Sequence, residues 1–348
     1  MTTVDVNIAA VSKPLAAGLI RVPDSRSSKT ELDDLDRRIV AALQTNPRAS
    51  WRQITSLVKG SESTVKRRAE RLIEVGVVHV TAFAERVSPA FPVLVQFTCD
   101  FKYGYDIACQ LAERDDVRFV SFVTGPFDVV AELIVSSHRH LTDIILHELP
   151  KITGIRATST ETVLRTFKRS YDWSQDLLGP AKEIRVPPPP PEQYAAESIS
   201  LDQTALRILE ALKEDGRVGY AALAARCDIS ESMARYRVNQ LVTKAGIRIV
   251  TIVDPQLLGY DTQLLVWFQV DLAQREAAAA ALVAHPAVRF VAATSGYSDL
   301  VCEAYLRSQE EVYDFSVELL GRLPGVRQVN IASELLTVKR GNVRVNTQ

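Results

Sequence analysis

Two stretches of the chain combine serines with basic side chains in the same order. SESTVKRRAERLIEVGVV spans Ser61 to Val78, and SESMARYRVNQLVTKAGI spans Ser230 to Ile247. Each begins with a serine suited to cap a helix and ends on a glycine followed by aliphatic residues. Cations on one helix face can neutralise phosphates or donate to guanine, so nucleic-acid binding is the chemistry that this pattern favours.

The residues around each segment predict the elements that would position it. Before Ser61, apolar residues from Leu32 to Leu43 recur at helical spacing, and WRQITSLV indicates a second, short helix before a turn at Lys59-Gly60. After it, VVHVTAF alternates like the start of a strand. Three helices followed by a strand predict a winged helix-turn-helix, whose third helix enters the major groove. The same order recurs from Leu201 onward.

The outward faces of the two third helices provide the candidate DNA-binding residues. In the first copy they are Ser61, Ser63, Thr64, Lys66, Arg67, Arg68 and Arg71, and in the second Ser230, Ser232, Arg235, Tyr236, Arg237 and Asn239. Because these two sets differ, the copies should not bind identical half-sites. The alternative is an ordinary solvated face, since Glu62, Glu70 and Glu74 are interspersed with the cations of the first helix.

The repetition extends over most of the chain. A shift of about 169 residues aligns the first halves of the two copies, and a shift of about 171 aligns their second halves, where VRFV recurs at 117–120 and 288–291. This period is far longer than that of stacked repeats, so the chain is a duplicated two-domain module. Between the copies, five prolines at 187–191 favour polyproline II, as a spacer or as a solvated tether.

The second half of each copy predicts strands and helices in the order β-α-β-β-α-β, with the last strands at 155–163 and 326–335. This order is ferredoxin-like and puts both helices on one face of the sheet, so the fold class is α+β. A second such domain is the obvious cover for the other face, which implies self-association through the sheets. The expected divisions are a tail (1–30), helix-turn-helix 1 (31–85), ferredoxin-like domain 1 (86–170), a Pro-rich linker (171–199), helix-turn-helix 2 (200–255), ferredoxin-like domain 2 (256–341) and a tail (342–348).

Two short connections, TGPFD and SGYSD, join the middle strands of these domains. Glycine permits a positive φ or a close backbone approach, and Asp can cap the turn or bind an amine. A plain β-hairpin turn is the alternative explanation.

Composition limits the remaining function classes. The 348 residues are 47% hydrophobic and 24% charged, with a net charge of −1, so any nucleic-acid contact needs a local basic face. Four scattered cysteines without a CxxC argue against a disulfide framework or a thiolate zinc site. His138 and His140 suit a solvated loop better than a metal site. No apolar run reaches the length of a membrane span, and we expect a cytoplasmic protein without metal or cofactor.

These motifs, in this order and in both copies, resemble the Lrp/AsnC transcriptional regulators: Leu-Asp at the first helix, Ser-x-Ser at the third, the Gly-x-x-Asp hairpin and a closing Lys. The resemblance covers about 31–169 and 200–340. It implies double-stranded DNA as one partner and an amino acid or related small molecule as the effector. Carried over, the effector residues are Thr124, Gly125 and Asp128 in the first copy and Ser295, Gly296, Tyr297 and Asp299 in the second.

The chain departs from the family pattern in three ways. It is a tandem fusion, and it has Ser298 rather than an aromatic residue before Asp299. The second helix of its first copy also lacks the usual Leu-Ala pair. The two halves are therefore expected to have specialised. An alternative is an enzyme that resembles the siroheme decarboxylases, which share this architecture. The corresponding strands VRFVSFV and VRFVAAT keep an arginine but lack the histidine of that group. No catalytic residues are therefore predicted. A third possibility is an effector-sensing protein without DNA binding.

Overall fold

The computed structural model describes residues 20–21, 31–84, 90–179, 201–244, 246–341 and 343–345. The prolines at 187–191, nearly all of the first predicted tail and four of the seven residues of the second lie outside this range. None of the helices in the described part of the chain is long and apolar enough to cross a membrane.

The first module contains the predicted elements in the predicted order. A short strand precedes them, and the list in chain order is β1 (Ile20–Arg21), α1 (Asp34–Thr45), α2 (Trp51–Val58), α3 (Glu62–Glu74), β2 (His79–Ala84), β3 (Phe91–Cys99), α4 (Gly104–Glu113), β4 (Val117–Val123), β5 (Val129–Val135), α5 (His138–Asp143, continued by a wider turn over Ile144–Glu148) and β6 (Ile155–Arg169). Ser50 and Ser61 cap α2 and α3 through their hydroxyl oxygens. Gly76, with φ of 73°, ends α3 in the left-handed region that glycine tolerates.

The second module repeats the first. Its elements are α6 (Gln203–Glu214), α7 (Tyr220–Cys227), α8 (Glu231–Thr243), β7 (Ile247–Ile252), β8 (Thr262–Val270), α9 (Arg275–Ala284), β9 (Val288–Thr294), β10 (Leu300–Leu306), α10 (Glu310–Asp314, continued over Phe315–Leu319), β11 (Val326–Arg340) and β12 (Val343–Arg344). The turn before the third helix is the same in both copies, because Lys59 and Asp228 adopt a left-handed conformation with φ of 57° and 56°.

The two ferredoxin-like sheets join into one closed structure. The strand order is β11-β4-β5-β3-β6-β9-β10-β8, and β8 pairs again with β11, so eight strands of one chain form a barrel. Separate apolar cores lie between each sheet and its own helices, and another lies inside the barrel where the two sheets face each other. The second domain predicted to cover the free sheet face is therefore the other half of the same chain, and self-association through the sheets is here an intramolecular contact.

Two long strands make this junction and correct the predicted boundaries. β6 and β11 were expected to end near Val163 and Leu335, but they continue to Arg169 and Arg340. The first part of β6 pairs with β3 of its own module, and its last part pairs with β9 of the other. β11 pairs in the same way with β8 and then with β4. The extra length follows from this exchange, since a strand continues for as long as it has a neighbour to bond.

The strands that follow the third helices also pair across the modules. β2 and β7 form a two-stranded antiparallel sheet, in which His79 lies opposite Ile252. Each helix-turn-helix unit therefore contributes one strand to a shared wing sheet instead of forming a wing of its own.

The start of the predicted linker is structured. Gln175–Leu178 forms a short 3-10 helix. Trp173 packs edge-on against Tyr260 and Tyr305 of the second module, with ring centroids 5.2 Å and 4.9 Å apart. The predicted domain divisions otherwise stay predictions.

Candidate functional site

The third helices of the two helix-turn-helix units are α3 and α8, called the recognition helices from here on. Reciprocal contacts between the two units hold them in a fixed relation. Arg48 donates to the carbonyl oxygens of Gly216 (2.6 Å) and Val218 (3.0 Å). Arg217, its counterpart in the second copy, donates to those of Pro47 (2.6 Å) and Ala49 (2.9 Å). Half-buried charged donors bond backbone carbonyls in both directions, so separating the two units would break all four charge-assisted hydrogen bonds.

Aromatic rings reinforce the same junction. The Arg48 guanidinium lies over the ring of Tyr220 at 4.8 Å, and that of Arg217 lies over Trp51 at 4.3 Å. Trp51 and Tyr220 occupy equivalent positions, so the arrangement has approximate twofold symmetry. The sequence analysis did not identify these four residues, although the alignment of Arg48 with Arg217 is visible in the repeat.

Most of the predicted DNA-binding side chains lie on the outer faces of α3 and α8. Their exposed members are Ser61, Ser63, Lys66, Arg67, Arg71, Ser230, Ser232, Arg235, Tyr236 and Asn239, and the half-buried ones are Thr64, Arg68 and Arg237. Ser61 and Ser230 accept hydrogen bonds from the backbone N–H groups of Thr64 and Met233, so their hydroxyl groups are first of all helix caps.

The arginines of α3 divide into held and free groups. Arg68 pairs with Asp33 and, at 3.2 Å, with Asp36, and Arg71 lies 3.1 Å from Asp36. The hydrogen bond from Arg68 holds the pKa of the Asp33 carboxyl below its usual range. Arg67, by contrast, forms no ion pair within the described part of the chain. The most available cation on this helix is therefore Arg67, while Arg68 joins α3 to α1.

The second recognition helix has a different balance. Arg237 pairs with Asp202 at 2.9 Å, as its counterpart Arg68 pairs with Asp33. Arg235 lies 3.5 Å from Glu231, and its guanidinium also rests over Tyr220 at 4.5 Å. The position equivalent to Arg67 is Tyr236, which is 56% exposed. One helix therefore presents a free cation where the other presents an aromatic ring.

The Gly-x-x-Asp hairpins hold neighbouring strands together. Asp128 accepts a hydrogen bond from the backbone N–H of Cys99 (2.7 Å), and Asp299 accepts one from that of Val270 (2.8 Å). Thr124 bonds to Ser333 on the last strand of the other module, and Ser295 bonds in the same way to Thr162. These four predicted effector residues have structural partners. Gly125, Gly296 and Tyr297 are exposed, and the Tyr297 hydroxyl accepts from the Gln328 amide at 3.3 Å.

The two hairpins differ in what faces the glycine. Beside Gly296 lies the buried Glu161, one of whose oxygens accepts from the backbone N–H of Ser298 at 3.0 Å. Burial raises the pKa of Glu161. The position equivalent to Glu161 is Ala332, whose methyl group lies beside Gly125. Only the second hairpin therefore has a carboxyl group against its glycine.

A charged cluster inside the barrel was not predicted. Arg118 and Arg169 bind Glu132, and their counterparts Arg289 and Arg340 bind Glu303, with N–O distances of 2.6–3.1 Å. Burial opposes ionisation of Glu132, but the two guanidinium groups outweigh it and hold its pKa well below the usual range. The sequence feature that could have indicated this cluster is the repeated VRFV, in which the arginine alternates with apolar residues that point toward a core.

The remaining reactive side chains have ordinary environments. In the described ranges, no group of three or more His, Cys, Asp or Glu side chains is placed to hold a metal ion. His138 packs against Phe91, and His140 lies 3.1 Å from the Ser136 hydroxyl. The four cysteines are free, and burial raises the pKa of Cys99 to about 11, so this thiol is not a poised nucleophile.

Comparison with family models divides the chain in the same way as its structure. A model described as the Lrp/AsnC ligand binding domain matches residues 93–173 and again 263–343. An AsnC-type helix-turn-helix domain matches residues 32–73, and a winged helix-turn-helix DNA-binding model matches residues 201–244.

Curated relatives correspond to single modules. An uncharacterised HTH-type transcriptional regulator of Pyrococcus horikoshii is 31% identical over 169 residues, which are 44% of this chain and 98% of the relative. The HTH-type transcriptional regulator FL11 of Pyrococcus abyssi is 28% identical over 147 residues, or 41% of this chain and 97% of the relative. The chain is thus similar to two such proteins in tandem.

Two crystal structures of one protein, the second in co-complex with an iron-uroporphyrin III analogue, match nearly the whole length. The crystal structure of the siroheme decarboxylase NirDL aligns with a TM-score of 0.60 at 14% identity, over 90% of this chain and 94% of that chain. At this level of identity the similarity concerns the fold, and the fold it supports is the paired two-module arrangement.

Proposed function

Since the chain belongs to the Lrp/AsnC family and carries both of its domain types twice, we propose that it is a transcriptional regulator that binds double-stranded DNA through α3 and α8. The observation that carries this proposal is the reciprocal clamp of Arg48 and Arg217, which fixes two outward-facing recognition helices in one chain. A single chain then offers the paired helices that a protein of one module would need two chains to assemble.

The proposed binding site is an imperfect palindrome. The Arg67 position of α3 suits phosphate or guanine, whereas Tyr236 of α8 has no charge and suits stacking or a single hydrogen bond. Two half-sites with different base preferences follow from this difference.

Selection from random DNA duplexes, followed by fluorescence anisotropy at several salt concentrations, tests the proposal. We expect a selected sequence with two unequal halves. Replacing Arg67 and Arg235 by Gln should weaken binding to it and make the salt dependence shallower by about two phosphate contacts. The matched control is Arg165→Gln, because Arg165 is a half-buried arginine on barrel strand β6, outside α3 and α8, and pairs with Glu276. No enrichment of any duplex, or equal affinity of the double variant and wild type, would refute the assignment.

The finer part of the proposal is that an amino acid or a related small metabolite binds near the hairpins and changes DNA affinity. Exposed Gly125, Gly296 and Tyr297 support this site, and the family resemblance supplies the ligand class. Anisotropy titrations with each amino acid, repeated on Tyr297→Ala, test it. If an amino acid changes the DNA affinity of the wild type and of Tyr297→Ala equally, it does not bind at the second hairpin.

The enzyme alternative has a separate test. The barrel cavity described below has no histidine among its described lining residues, and its volume is far smaller than a tetrapyrrole. Titration with an iron tetrapyrrole should leave its absorbance spectrum unchanged, and a saturable spectral shift would favour the decarboxylase-like reading.

A further inference from the structure

The interior of the barrel contains a cavity of about 50 Å³ at the end nearest the shared wing sheet. Its wall combines the four arginines Arg118, Arg169, Arg289 and Arg340 with aromatic and aliphatic side chains from both modules. A cavity of this size holds about four water-sized groups, since each requires roughly 10–15 Å³ by this measure. The space therefore matches a small molecule with only a few non-hydrogen atoms.

The charges around the cavity do not balance. Four guanidinium groups face Glu132 and Glu303, and the further carboxyl of Glu334 lies 3.4 Å from Arg340. Among the described side chains of this cluster, the four guanidinium groups therefore outnumber the three carboxyls. Burial, and then repulsion from Glu303, raise the pKa of Glu334 to about 8, which widens this difference at neutral pH. A wall rich in guanidinium donors favours an anionic ligand, which accepts charge-assisted hydrogen bonds from them.

The uncharged part of the cavity wall adds a second requirement on the ligand. Arg169 lies over Phe290 at 4.5 Å and Arg340 over Phe119 at 5.0 Å, so each arginine is stacked on the ring of the opposite module. Trp267 also lines the cavity, and its buried indole N–H has no acceptor among the described residues. An anion whose body is apolar would contact these rings while its charged oxygens accept from the arginines.

From the cavity, its surplus of arginines and its aromatic wall, we infer that the barrel interior is a binding site for a small organic carboxylate. The carboxylate lies toward the paired arginines and its short apolar part toward Phe119, Phe290 and Trp267. This site is separate from the hairpins and does not depend on DNA binding, because its residues point into the barrel.

Propionate is the probe, and propionamide is its uncharged isostere. Scanning calorimetry at constant ionic strength should show a midpoint that keeps rising with the logarithm of the propionate concentration above its Kd, because a ligand at free concentration L that binds only the folded state stabilises it by RT ln(1 + L/Kd). Saturation-transfer NMR should show contact between the propionate methyl group and the protein. Propionamide should produce neither effect. Inorganic phosphate tests whether charge alone is enough.

Two variants act on the site by different means. Arg340→Gln removes one cation, and we expect propionate binding to weaken at least tenfold. Leu265→Phe fills part of the cavity wall without changing any charge, so it tests the site even if Arg340→Gln fails to fold. Arg165→Gln is the matched control on the barrel exterior and should bind like the wild type.

Three results would overturn the inference. The first is that propionate raises the midpoint of the wild type no more than propionamide does. The second is that phosphate binds and propionate does not, which would make the site one for inorganic anions. The third is that propionate acts equally on the wild type, Arg340→Gln and Leu265→Phe.

Discussion

Arg48 and Arg217 make the same contacts in opposite directions, whereas the position of Arg67 on one recognition helix is taken by Tyr236 on the other. The same contrast recurs in the barrel. Glu132 and Glu303 each bind two arginines in equivalent positions, while Glu161 beside one hairpin is replaced by Ala332 beside the other. The two modules match at the Arg48 and Arg217 contacts and at the Glu132 and Glu303 pairs, and they differ on the recognition helices and beside the hairpins.

This difference separates two demands on a duplicated chain. Residues at the junction meet their own copies, so a change in one half disturbs a contact that the other half also makes. Residues on the outer faces of the recognition helices face solvent, so each can change alone. The shared contacts should therefore govern stability and the unshared ones specificity.

The largest expected effect is on the paired glutamates. Glu132→Gln leaves two buried guanidinium groups without their carboxylate, and breaking a buried pair in this way costs about 3–5 kcal/mol. Glu303→Gln should cost less, because Glu334 lies next to Arg340 and can ionise in its place, whereas the position equivalent to Glu334 is Val163. Urea unfolding of both variants measures the difference.

Glu276→Ala is the control for that pair, since its exposed contact with Arg165 should contribute no more than about 1 kcal/mol. Equal losses for Glu132→Gln and Glu303→Gln would mean that Glu334 does not compensate, and the two halves of the cluster would then be energetically alike.

The second effect is a pH dependence of the unfolding free energy that arises from Glu334 in the second module, whose counterpart in the first module is Val163. Glu334 has a folded-state pKa of about 8, above its ordinary value of 4.5, so it binds a proton more tightly in the folded state. Its contribution to stability is therefore complete below about pH 4.5 and is lost as the pH rises through 8. The groups in contact with it are Glu303, Arg340 and Thr337.

Glu334→Gln should remove this dependence. Relative to the variant, the wild type should lose on the order of 3–4 kcal/mol between about pH 5 and pH 8. Taking the difference between the two proteins cancels the titration of other groups, such as Lys339, whose pKa burial lowers to about 8. Parallel pH profiles would show that Glu334 is ionised in the folded protein.

The third effect separates contact with DNA from support of the helix. Arg67→Gln should weaken binding to the selected duplex about tenfold, or about 1.4 kcal/mol, and reduce the salt slope by about one. Arg68→Gln should change the salt slope less, because Asp33 and Asp36 already neutralise it, but should lower the unfolding free energy. Anisotropy measures the DNA affinity and salt slope of both variants, and urea unfolding measures their stability. If Arg68→Gln lowered the salt slope more than Arg67→Gln did, Arg68 would be the phosphate contact.

The helix-turn-helix and βαββαβ elements followed from the sequence because their signals are local. Helical spacing from Leu32 to Leu43, the cap at Ser61 and the left-handed glycine at Gly76 each act within a few residues, and all three appear in the structure as predicted. The order of these elements in both copies led to the resemblance to the Lrp/AsnC family, which the matching family models confirm.

The contacts between the modules could not be predicted in this way. The ends of β6 and β11 depend on partners more than a hundred residues away, so no local pattern marks Arg169 or Arg340 as a barrel residue. The same applies to the recognition helix. The sequence identified Arg67 and Arg68 as equals, and only the distance from Arg68 to Asp33 and Asp36 separates their roles.

The smallest expected effect compares the hairpin glycines. Gly125 and Gly296 have φ of 100° and 114°, so an Ala at either position should cost on the order of 1 kcal/mol from backbone strain. At Gly296 the added methyl group would also meet Cγ of Glu161 at 3.3 Å, whereas at Gly125 the nearest atom is the Ala332 methyl at 3.9 Å. Gly296→Ala should therefore cost a few tenths of a kcal/mol more, and that excess should disappear in a Glu161→Ala background. Calorimetry on the four proteins of this cycle, with Gly125→Ala as the reference, measures it. An excess that persists without Glu161 would mean that the hairpins differ in backbone strain and not in the side chain that faces them.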